Sequence, residues 1–511
     1  MVVIGGGITG AGILSRASQI GLRAVLLEAA DFASGTSSHS SKLVHGGLRY
    51  LRSGQFKVTF QSVRGRDRLL MGAPGLVRDL PFLFPSFQGR SPSHTLTGLG
   101  LSLFDLLAGR WTHESLSRQQ TLASCPSLTT QALIGGHRYQ DAQTDDARLV
   151  LRLIQEAGAR GAVAINYAPV IRLLRDAQNR VAGVGVEDRH PDGRGRSAEV
   201  IAKLVINATG PWADEFRSAL GAGRRLRPLR GSHLVFSRRA FPVDEAITVI
   251  HPTDGRPTFV IPWEGVTLFG TTDIDHDTPM DEAPAISPGE YDYLMSALRS
   301  DFRPLGLEDS DVLATFSGVR PVIDTGKANP SKESRDHVIW DDHGLMTVTG
   351  GKLTTFEAMA DDALRAAQTR LNEAFRPRRH PPTFESAPVS STMAPDLDPW
   401  TVLRLSGRYG QRAAEVLQAA DASGWMPIPN TPYGWPELAW AARSEDVVHL
   451  DDLLLRRLRV GLILERGGQA LLKTVREVVQ RQLGWDDDRW DQEAAAYMET
   501  WRRQHNPNPA G

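Results

Sequence analysis

Apolar and polar positions along the first thirty residues follow a strand–turn–helix–strand order. A short apolar run, Val2-Val3-Ile4, breaks at Gly5-Gly6-Gly7-Ile8-Thr9-Gly10. It resumes with helical period over Ala11–Ile20, passes Gly21, and continues as a second apolar run, Ala24–Leu27, that ends at Glu28. In this setting each glycine has its own work. Gly5 permits a tight turn, Gly7 lets the backbone approach a pyrophosphate, and Gly10 lets the helix sit close to the sheet, its N-terminus favouring an anion. Glu28 falls 18 residues after Gly10, where a carboxylate reaches the hydroxyls of an adenosine ribose. The pattern is that of a dinucleotide-binding βαβ unit.

Further along, residues 56–75 read as an amphipathic helix carrying Arg64, Arg66 and Arg68, expected on a solvated face. From Pro81 to about Arg138 the α/β alternation lapses, and helix Asp146–Gly158 and strand Ala162–Asn166 resume it. Val181–Asp188 is expected to pair with Ala198–Val205 across a Pro/Gly-rich turn. Alternating runs at Ser232–Phe236, Thr258–Ile261 and Thr267–Thr271 predict an antiparallel sheet laid over the nucleotide unit. Val338–Gly351 and the helix after it return to the first domain. Pro381–Pro399 reads as a linker, and the segments after it, Trp400–Ala420, Pro436–Arg443, Leu450–Glu465 and Gly468–Leu483, have helical period. Seven of the eleven tryptophans fall between Trp400 and Trp501 and are expected in a helical core, with Gln504–Gly511 as a disordered tail.

A second set of signals chooses the dinucleotide. Residues 33 to 51 form a Ser/Gly-rich run that ends in His45-Gly46-Gly47-Leu48-Arg49-Tyr50-Leu51, long enough to wrap a bulky cofactor. At Leu204–Trp212 a buried-type strand ends in the small-residue turn Ala208-Thr209-Gly210, as where a sheet meets its cofactor at strand C-termini. Together these favour FAD over NAD. With Pro262–Asp273, Gly318–Pro321, Gly350–Thr355, residues 144–149 and residues 453–458, they resemble, in order and spacing, the FAD-dependent, membrane-associated glycerol-3-phosphate dehydrogenases. The chain departs from that pattern at Arg230, where lysine is common, and at Arg52, where an acidic residue is common.

The resemblance implies a Rossmann-like α/β FAD-binding domain of the glutathione-reductase/D-amino-acid-oxidase type (residues 1–80, 139–228 and 310–380). It also implies an antiparallel-sheet substrate domain (81–138 and 229–309), a linker (381–399), an all-helical C-terminal domain (400–503) and a tail (504–511). The cofactor would rest on Gly5, Gly7, Gly10, Glu28, Thr36, Ser37, Ser41, Lys42, Leu43, His45, Gly46, Gly47, Thr209, Gly210, Trp212, Gly351, Lys352, Leu353 and Thr354. The implied reaction oxidises sn-glycerol 3-phosphate to dihydroxyacetone phosphate, with electrons passed to membrane quinone. Use of oxygen, a different polyol phosphate, or a flavin protein without turnover are the alternatives.

Candidate reaction residues follow from the chemistry. A phosphate favours the planar fork of arginine. Arg49, Arg320 and Arg335 stand at the family's anion-binding positions, with Tyr50 beside the first. Lys352, at a helix start, would add positive charge where the reduced flavin gathers negative charge. His233 is the first choice as proton acceptor, with Lys352 or a deprotonated water as alternatives; His45 is expected at the flavin, and His337 is a weaker candidate.

Bulk composition adds bounds. Net charge is −1, which gives no reason to expect nucleic acid as a partner. Only seven of the 58 basic residues are lysine, yet Lys42 and Lys352 both sit in cofactor motifs. A single cysteine, Cys125, excludes an intrachain disulfide and a cysteine-based metal cluster, and no metal is expected. No apolar window is long enough to span a bilayer. A reducing cytoplasmic location is therefore expected, with peripheral attachment to the inner membrane face implied by the resemblance; arginine-bearing helices and the Arg224–Arg239 segment are the candidate lipid contacts. A homodimer is an assembly the resemblance allows. The first strand has so few residues that either it is short or the natural start lies upstream of Met1.

Overall fold

The computed structural model describes residues 1–48, 56–193, 195–327, 333, 336–371, 382–385, 396–420 and 424–508. Strand β1 (Val2–Ile4) is central in a six-stranded sheet, with β2 (Val25–Leu27) on one side and β10 (Val205–Asn207) on the other, both parallel to it. The order continues from β2 to β6 (Val163–Ile165), and from β10 through β18 (Leu345–Gly350) to the antiparallel edge β17 (His337–Asp342). Val2–Ile4 is buried on both faces, which explains why it reads as an unbroken apolar run. Helices α1 (Ile8–Gln19), α5 (Asp146–Ala159) and α8 (Phe356–Ala366) pack together on one face, with α1 between the other two. Gly12 is the contact point of α1: a Cβ there would stand 2.7 Å from the Phe356 ring.

The substrate sheet is longer-stranded. It runs β15 (Ile274–Asp275), β11 (Leu226–Ser237), β14 (Val266–Gly270), β13 (Pro257–Trp263), β12 (Ala246–Ile250), β3 (Val77–Phe87), β5 (Leu133–Thr144), β4 (Glu114–Ser117). Strand β16 (Val312–Ile323) pairs antiparallel with β11 over nearly its whole length. This corrects the expected boundaries: 312–323 belongs to the substrate sheet, and the limits at 80, 138 and 228 fall inside β3, β5 and β11. β7 (Val170–Arg175), β8 (Val181–Glu187) and β9 (Ser197–Ile201) form a small antiparallel sheet, with β8 and β9 paired as expected. Between β2 and β5 lie α2 (Phe56–Gly72), α3 (His94–Ala108) and α4 (Arg118–Ser124); α6 (Ala213–Ser218) and α7 (Pro288–Asp301) follow later.

The C-terminal domain is helical, from Pro399–Tyr409 to Asp487–Gln504, with a wide π-type turn over Asp452–Arg457. Its apolar residues, Tyr409, Trp440, Leu453 and Trp501 among them, continue one core with Phe82, Tyr139, Val235 and Trp263 of the substrate sheet. Trp440, Trp490 and Trp501 are buried as expected, whereas Trp400 is exposed. Two expectations fail here. Residue 505 is not in a loose tail: His505 is buried, its backbone carbonyl accepts from Thr315 N (2.9 Å), and its Nδ1 lies 2.9 Å from Thr315 O. Arg66 is not solvated either. It is buried against Asp141 (3.1 Å) and Asp67 (2.9 Å), while Arg64 is exposed and Arg68 reaches Glu357.

Candidate active site

A cavity of about 580 Å³ opens where the C-terminal ends of β1, β2 and β10 meet the underside of the substrate sheet. One end is built by the glycine turn. Gly5 has φ +108°, and a Cβ there would lie 2.7 Å from the Ala208 carbonyl. Gly10 does not line the cavity; its backbone lies so close to the strand that a Cβ would fall 1.9 Å from Gly5 O, which gives the tight helix–strand packing expected of it. Ser37 Oγ accepts from Ile8 N (2.9 Å) and ties the following loop to the helix start. Glu28 lines the cavity, its two oxygens accepting from Gly6 N (2.5 Å) and Ala30 N (2.9 Å). Burial pushes its pKa up, and each oxygen retains a lone pair for a ribose hydroxyl.

The wall continues along Thr36, Ser37, Ser41, Leu43 and His45, then Thr209, Gly210 and Trp212, and closes with Gly351, Lys352, Leu353 and Thr354. Thr36 Oγ1 donates to Val319 O (2.5 Å), and a Cβ on Gly318 would lie 2.7 Å from His39 O, so this loop and β16 are held against one another. The Thr354 hydroxyl is buried on this wall with no partner among the described residues, as a group awaiting a ligand would be. A glycine turn that a methyl group would fill, a ribose-reaching carboxylate and an orphaned hydroxyl together fit FAD.

Residues 1–357 match the family of FAD dependent oxidoreductases, and residues 356–490 match the C-terminal domain of alpha-glycerophosphate oxidase. The aerobic glycerol-3-phosphate dehydrogenase of Staphylococcus haemolyticus (strain JCSC1435) is 34% identical over 482 residues, which span 89% of this chain and 86% of that protein. Its namesake in Staphylococcus aureus (strain MRSA252) is 34% identical over 484 residues, again 89% and 86%. The chain belongs to the FAD-dependent glycerol-3-phosphate dehydrogenase family. Among solved structures, the glycerol-3-phosphate dehydrogenase of Bacillus halodurans complexed with FAD superposes with a TM-score of 0.77 at 28% identity, covering 100% of this chain and 95% of that one. L-alpha-glycerophosphate oxidase from Mycoplasma pneumoniae shares the fold, with a TM-score of 0.58 at 17% identity over 76% of this chain and 98% of that one. FAD is the cofactor of this flavoenzyme.

At the other end of this dehydrogenase-family cavity stands Arg320, brought in by β16 and partly exposed to the cavity. Its Nη1 donates to Asp273 Oδ1 (3.0 Å) and Thr272 O (3.3 Å), and its Nη2 to Thr271 Oγ1 (2.9 Å). Asp273, buried, also pairs with Arg256 (3.2 Å). The guanidinium lies over Gly231 of β11, where a Cβ would come within 2.2 Å of Nη2. Lys352 precedes a short 3₁₀ turn, Leu353–Thr355, that runs into α8; its backbone N–H donates to Thr355 Oγ1 (2.9 Å) and its Nζ lies 3.4 Å from Ser62 Oγ. The geometry thus brings the Arg320 fork and Lys352 to the wall of one space.

Five of the expected residues are placed elsewhere. Lys42 is wholly buried behind the wall, its Nζ on Asp146 (2.9 and 3.0 Å) and Ser38 O (2.5 Å), and burial brings its pKa down to about 8. Gly46 abuts Phe104 and Val63, and neither it nor Gly47 lines the cavity. His233 is also behind the wall. It stacks on Phe316 (4.5 Å between centroids) and reaches the cavity only through Ser41 Oγ, 2.8 Å from its Nε2. Burial and the nearby Arg320 and Lys42 charges hold its pKa well below the ordinary value. His337 lies away from the cavity, on Asp362 (3.0 Å). Arg49, Tyr50 and Arg335 fall outside the described residues.

The sequence reading missed one wall. Phe82, Tyr139, Asp141 and Phe259 come from β3, β5 and β13 and face the cavity. Asp141 Oδ1 accepts from Gly46 N (2.9 Å) and Arg66 Nη1 (3.1 Å), and burial outweighs these bonds to push its pKa up to about 6. The alternation of β5 signalled a strand, but not which face would meet the cofactor.

Proposed function

We propose that this protein oxidises sn-glycerol 3-phosphate to dihydroxyacetone phosphate and passes the electrons to a membrane quinone. Support for the substrate comes from Arg320, whose fork is pinned by Thr271 and Asp273 at the open end of an FAD cavity, where it suits a phosphate monoester. The aerobic glycerol-3-phosphate dehydrogenases at 34% identity point the same way. FAD, when bound, supplies the acceptor for the hydride that leaves C2.

The protein's own residues do the rest. Arg320 binds the phosphate and thereby aims C2, while Lys352 and the start of α8 supply positive charge. The hydroxyl proton has an acceptor on the cavity wall in the Asp141 carboxylate, or a longer route through Ser41 to the neutral imidazole of His233. The substrate loses a hydride and a proton; a quinone takes up two electrons and two protons to become the quinol. Localisation at the cytoplasmic face of the membrane accords with one cysteine, Cys125, kept buried and unpaired.

Oxygen as the acceptor is the second reading, favoured by the match of residues 356–490 to a domain of alpha-glycerophosphate oxidase. One anaerobic mixing experiment tests both. Glycerol 3-phosphate should bleach the oxidised-flavin band saturably, where glycerol does not. Recovery of the band on adding quinone, but slowly on adding oxygen, supports the dehydrogenase; fast recovery with peroxide release supports the oxidase, and no bleaching removes both.

A further inference from the structure

Strand β11 has the Arg320 fork over one face and a buried carboxylate on the other. Gly231 lies under the fork, and its neighbours Arg230 and Ser232 point to the opposite face, as the two-residue period of a strand requires. There both meet Glu290, in the first turn of α7. Glu290 is buried and does not line the cavity. Its Oε2 accepts from Arg230 Nε (3.0 Å), Ser287 N (3.1 Å) and Ser287 Oγ (2.9 Å). Its Oε1 accepts from Thr272 Oγ1 (2.6 Å) and Ser232 Oγ (2.8 Å). Ser232 gives its one hydroxyl proton there, so Ser317 Oγ, 2.7 Å away on the paired strand β16, donates to it.

Helix capping explains only half of this carboxylate. Ser287 and Glu290 form a capping box, which engages Oε2. Oε1 takes no part in the cap and holds Thr272 and Ser232 instead. Thr272 is joined to β11 a second time, where its Oγ1 accepts from Ser232 N (2.9 Å). The same turn holds the fork. Thr272 O accepts from Arg320 Nη1 (3.3 Å) and Arg256 Nη2 (3.2 Å). The flanking Thr271 Oγ1 and Asp273 Oδ1 accept from Arg320 at 2.9 and 3.0 Å. Burial alone would push the Glu290 carboxyl up, but bonds from Thr272 and Ser287 and the Arg230 charge hold it below its ordinary value.

We propose that Glu290 is a positioning residue for substrate binding: through Thr272 it sets the Thr271–Asp273 turn, and that turn aims the Arg320 fork at the phosphate. A carboxylate is required because five donors converge on its two oxygens, and a glutamine nitrogen would set donor against donor. The role of Glu290 rests on Arg320 as the phosphate ligand.

The test uses the FAD-loaded enzyme, a water-soluble dye as electron acceptor, and inorganic phosphate as an inhibitor competing with glycerol 3-phosphate. Glu290→Gln should raise the KM for glycerol 3-phosphate and the inhibition constant of phosphate together, by about ten- to 100-fold. The affinity for FAD and the flavin spectrum should stay at wild type. Thr272→Val cuts the link but leaves Glu290 on Ser287 and Arg230, so it covers the case of a Glu290 variant that does not fold. The same rise is expected, and Thr272→Ser, which keeps the hydroxyl, should recover most of it. Because Glu290 acts through Arg320, Glu290→Gln should add less than about twofold in an Arg320→Ala background. Full multiplication of the two losses there overturns the proposal. So do wild-type KM and phosphate inhibition in folded Glu290→Gln and Thr272→Val when Arg320→Ala is defective, an outcome that spares the phosphate reading. If the wild type does not reduce the dye, or Arg320→Ala keeps both constants, the phosphate reading fails and the role of Glu290 falls with it.

Discussion

The imidazole of His505 lies parallel to that of His39, 2° between planes and 6.3 Å between centroids. His39 lines the active-site cavity, so the turn at His505 backs the loop that carries the cofactor residues. The C-terminal domain grips the same loop elsewhere. Arg457 makes a bidentate pair with Asp31 (2.5 and 2.8 Å), and Arg459 reaches Asp145 (3.0 Å) and Asp146 (2.5 Å), which in turn holds Ser40 and Lys42.

Removing residues 504–511 should therefore weaken cofactor retention. The truncation takes away the ring on His39 and leaves the Thr315 N–H without its acceptor, a loss of about 1–3 kcal/mol. Faster FAD release and a lower thermal midpoint are expected, whereas removing only 509–511 should change neither. An unaltered release rate in the longer truncation would show that the tail merely covers the loop.

Arg459→Met tests the same grip from the other domain. It leaves buried Asp145 with Arg408 (3.0 Å) and buried Asp146 with Lys42 (2.9 Å) as their remaining cations, so the loss should fall below that of a fully uncompensated buried charge, about 3–5 kcal/mol. Titrating FAD into the apoprotein measures it; wild-type affinity would assign the cluster to domain stability alone.

Much of this architecture was legible from local pattern. The glycine turn, β8 with β9, and the alternating runs of the substrate sheet carry their periodicity in a few adjacent residues. What was not legible depends on distant partners. Lys42 and Arg66 read as a cofactor contact and a surface charge because Asp146 and Asp141, 104 and 75 residues away, are invisible to a local window. His505 read as tail for the same reason, its partner Thr315 being 190 residues earlier. β16 was placed in the wrong domain because its Gly-Val-Arg-Pro motif points to the cofactor, while its backbone completes the twelve-residue β11.

Arg320→Ala should raise KM and lower kcat together, since the lost phosphate contact also aims C2; a charge-assisted contact of about 1.5–3 kcal/mol corresponds to roughly 10–150-fold in kcat/KM. Gly231→Ala tests the same fork without removing it. Its methyl group would collide with the Arg320 guanidinium and displace it. Steady-state kinetics should show a milder version of the same defect, and unchanged kinetics in Gly231→Ala would mean that the fork position is not critical.

Asp141 gives a pH signature. Its pKa, about 6 in the fold, lies above the ordinary 3.8, so the native state binds its proton more tightly than the unfolded chain. Its charged form costs stability above pH 6, by up to about 3 kcal/mol, and that cost is relieved as pH falls through 6 toward 4. Relative to Asp141→Asn, wild type should lose thermal stability as pH rises from 4 to 7. The opposite slope would show that pairing with Arg66 outweighs burial.

Lys352→Met should separate catalysis from cofactor binding. Lys352 lines the cavity just before the 3₁₀ turn that leads into α8, and cavity contacts from Glu28 to Trp212 do not depend on it. FAD should remain bound, with the flavin spectrum and apparent FAD affinity near wild type. Anaerobic reduction by glycerol 3-phosphate should slow by at least about tenfold, because stabilisation of the arriving negative charge is lost in the transition state. Lys352→Arg restores the charge on a bulkier head and should recover part of the rate. A reduction rate unchanged in Lys352→Met would confine the lysine to its contact with Ser62.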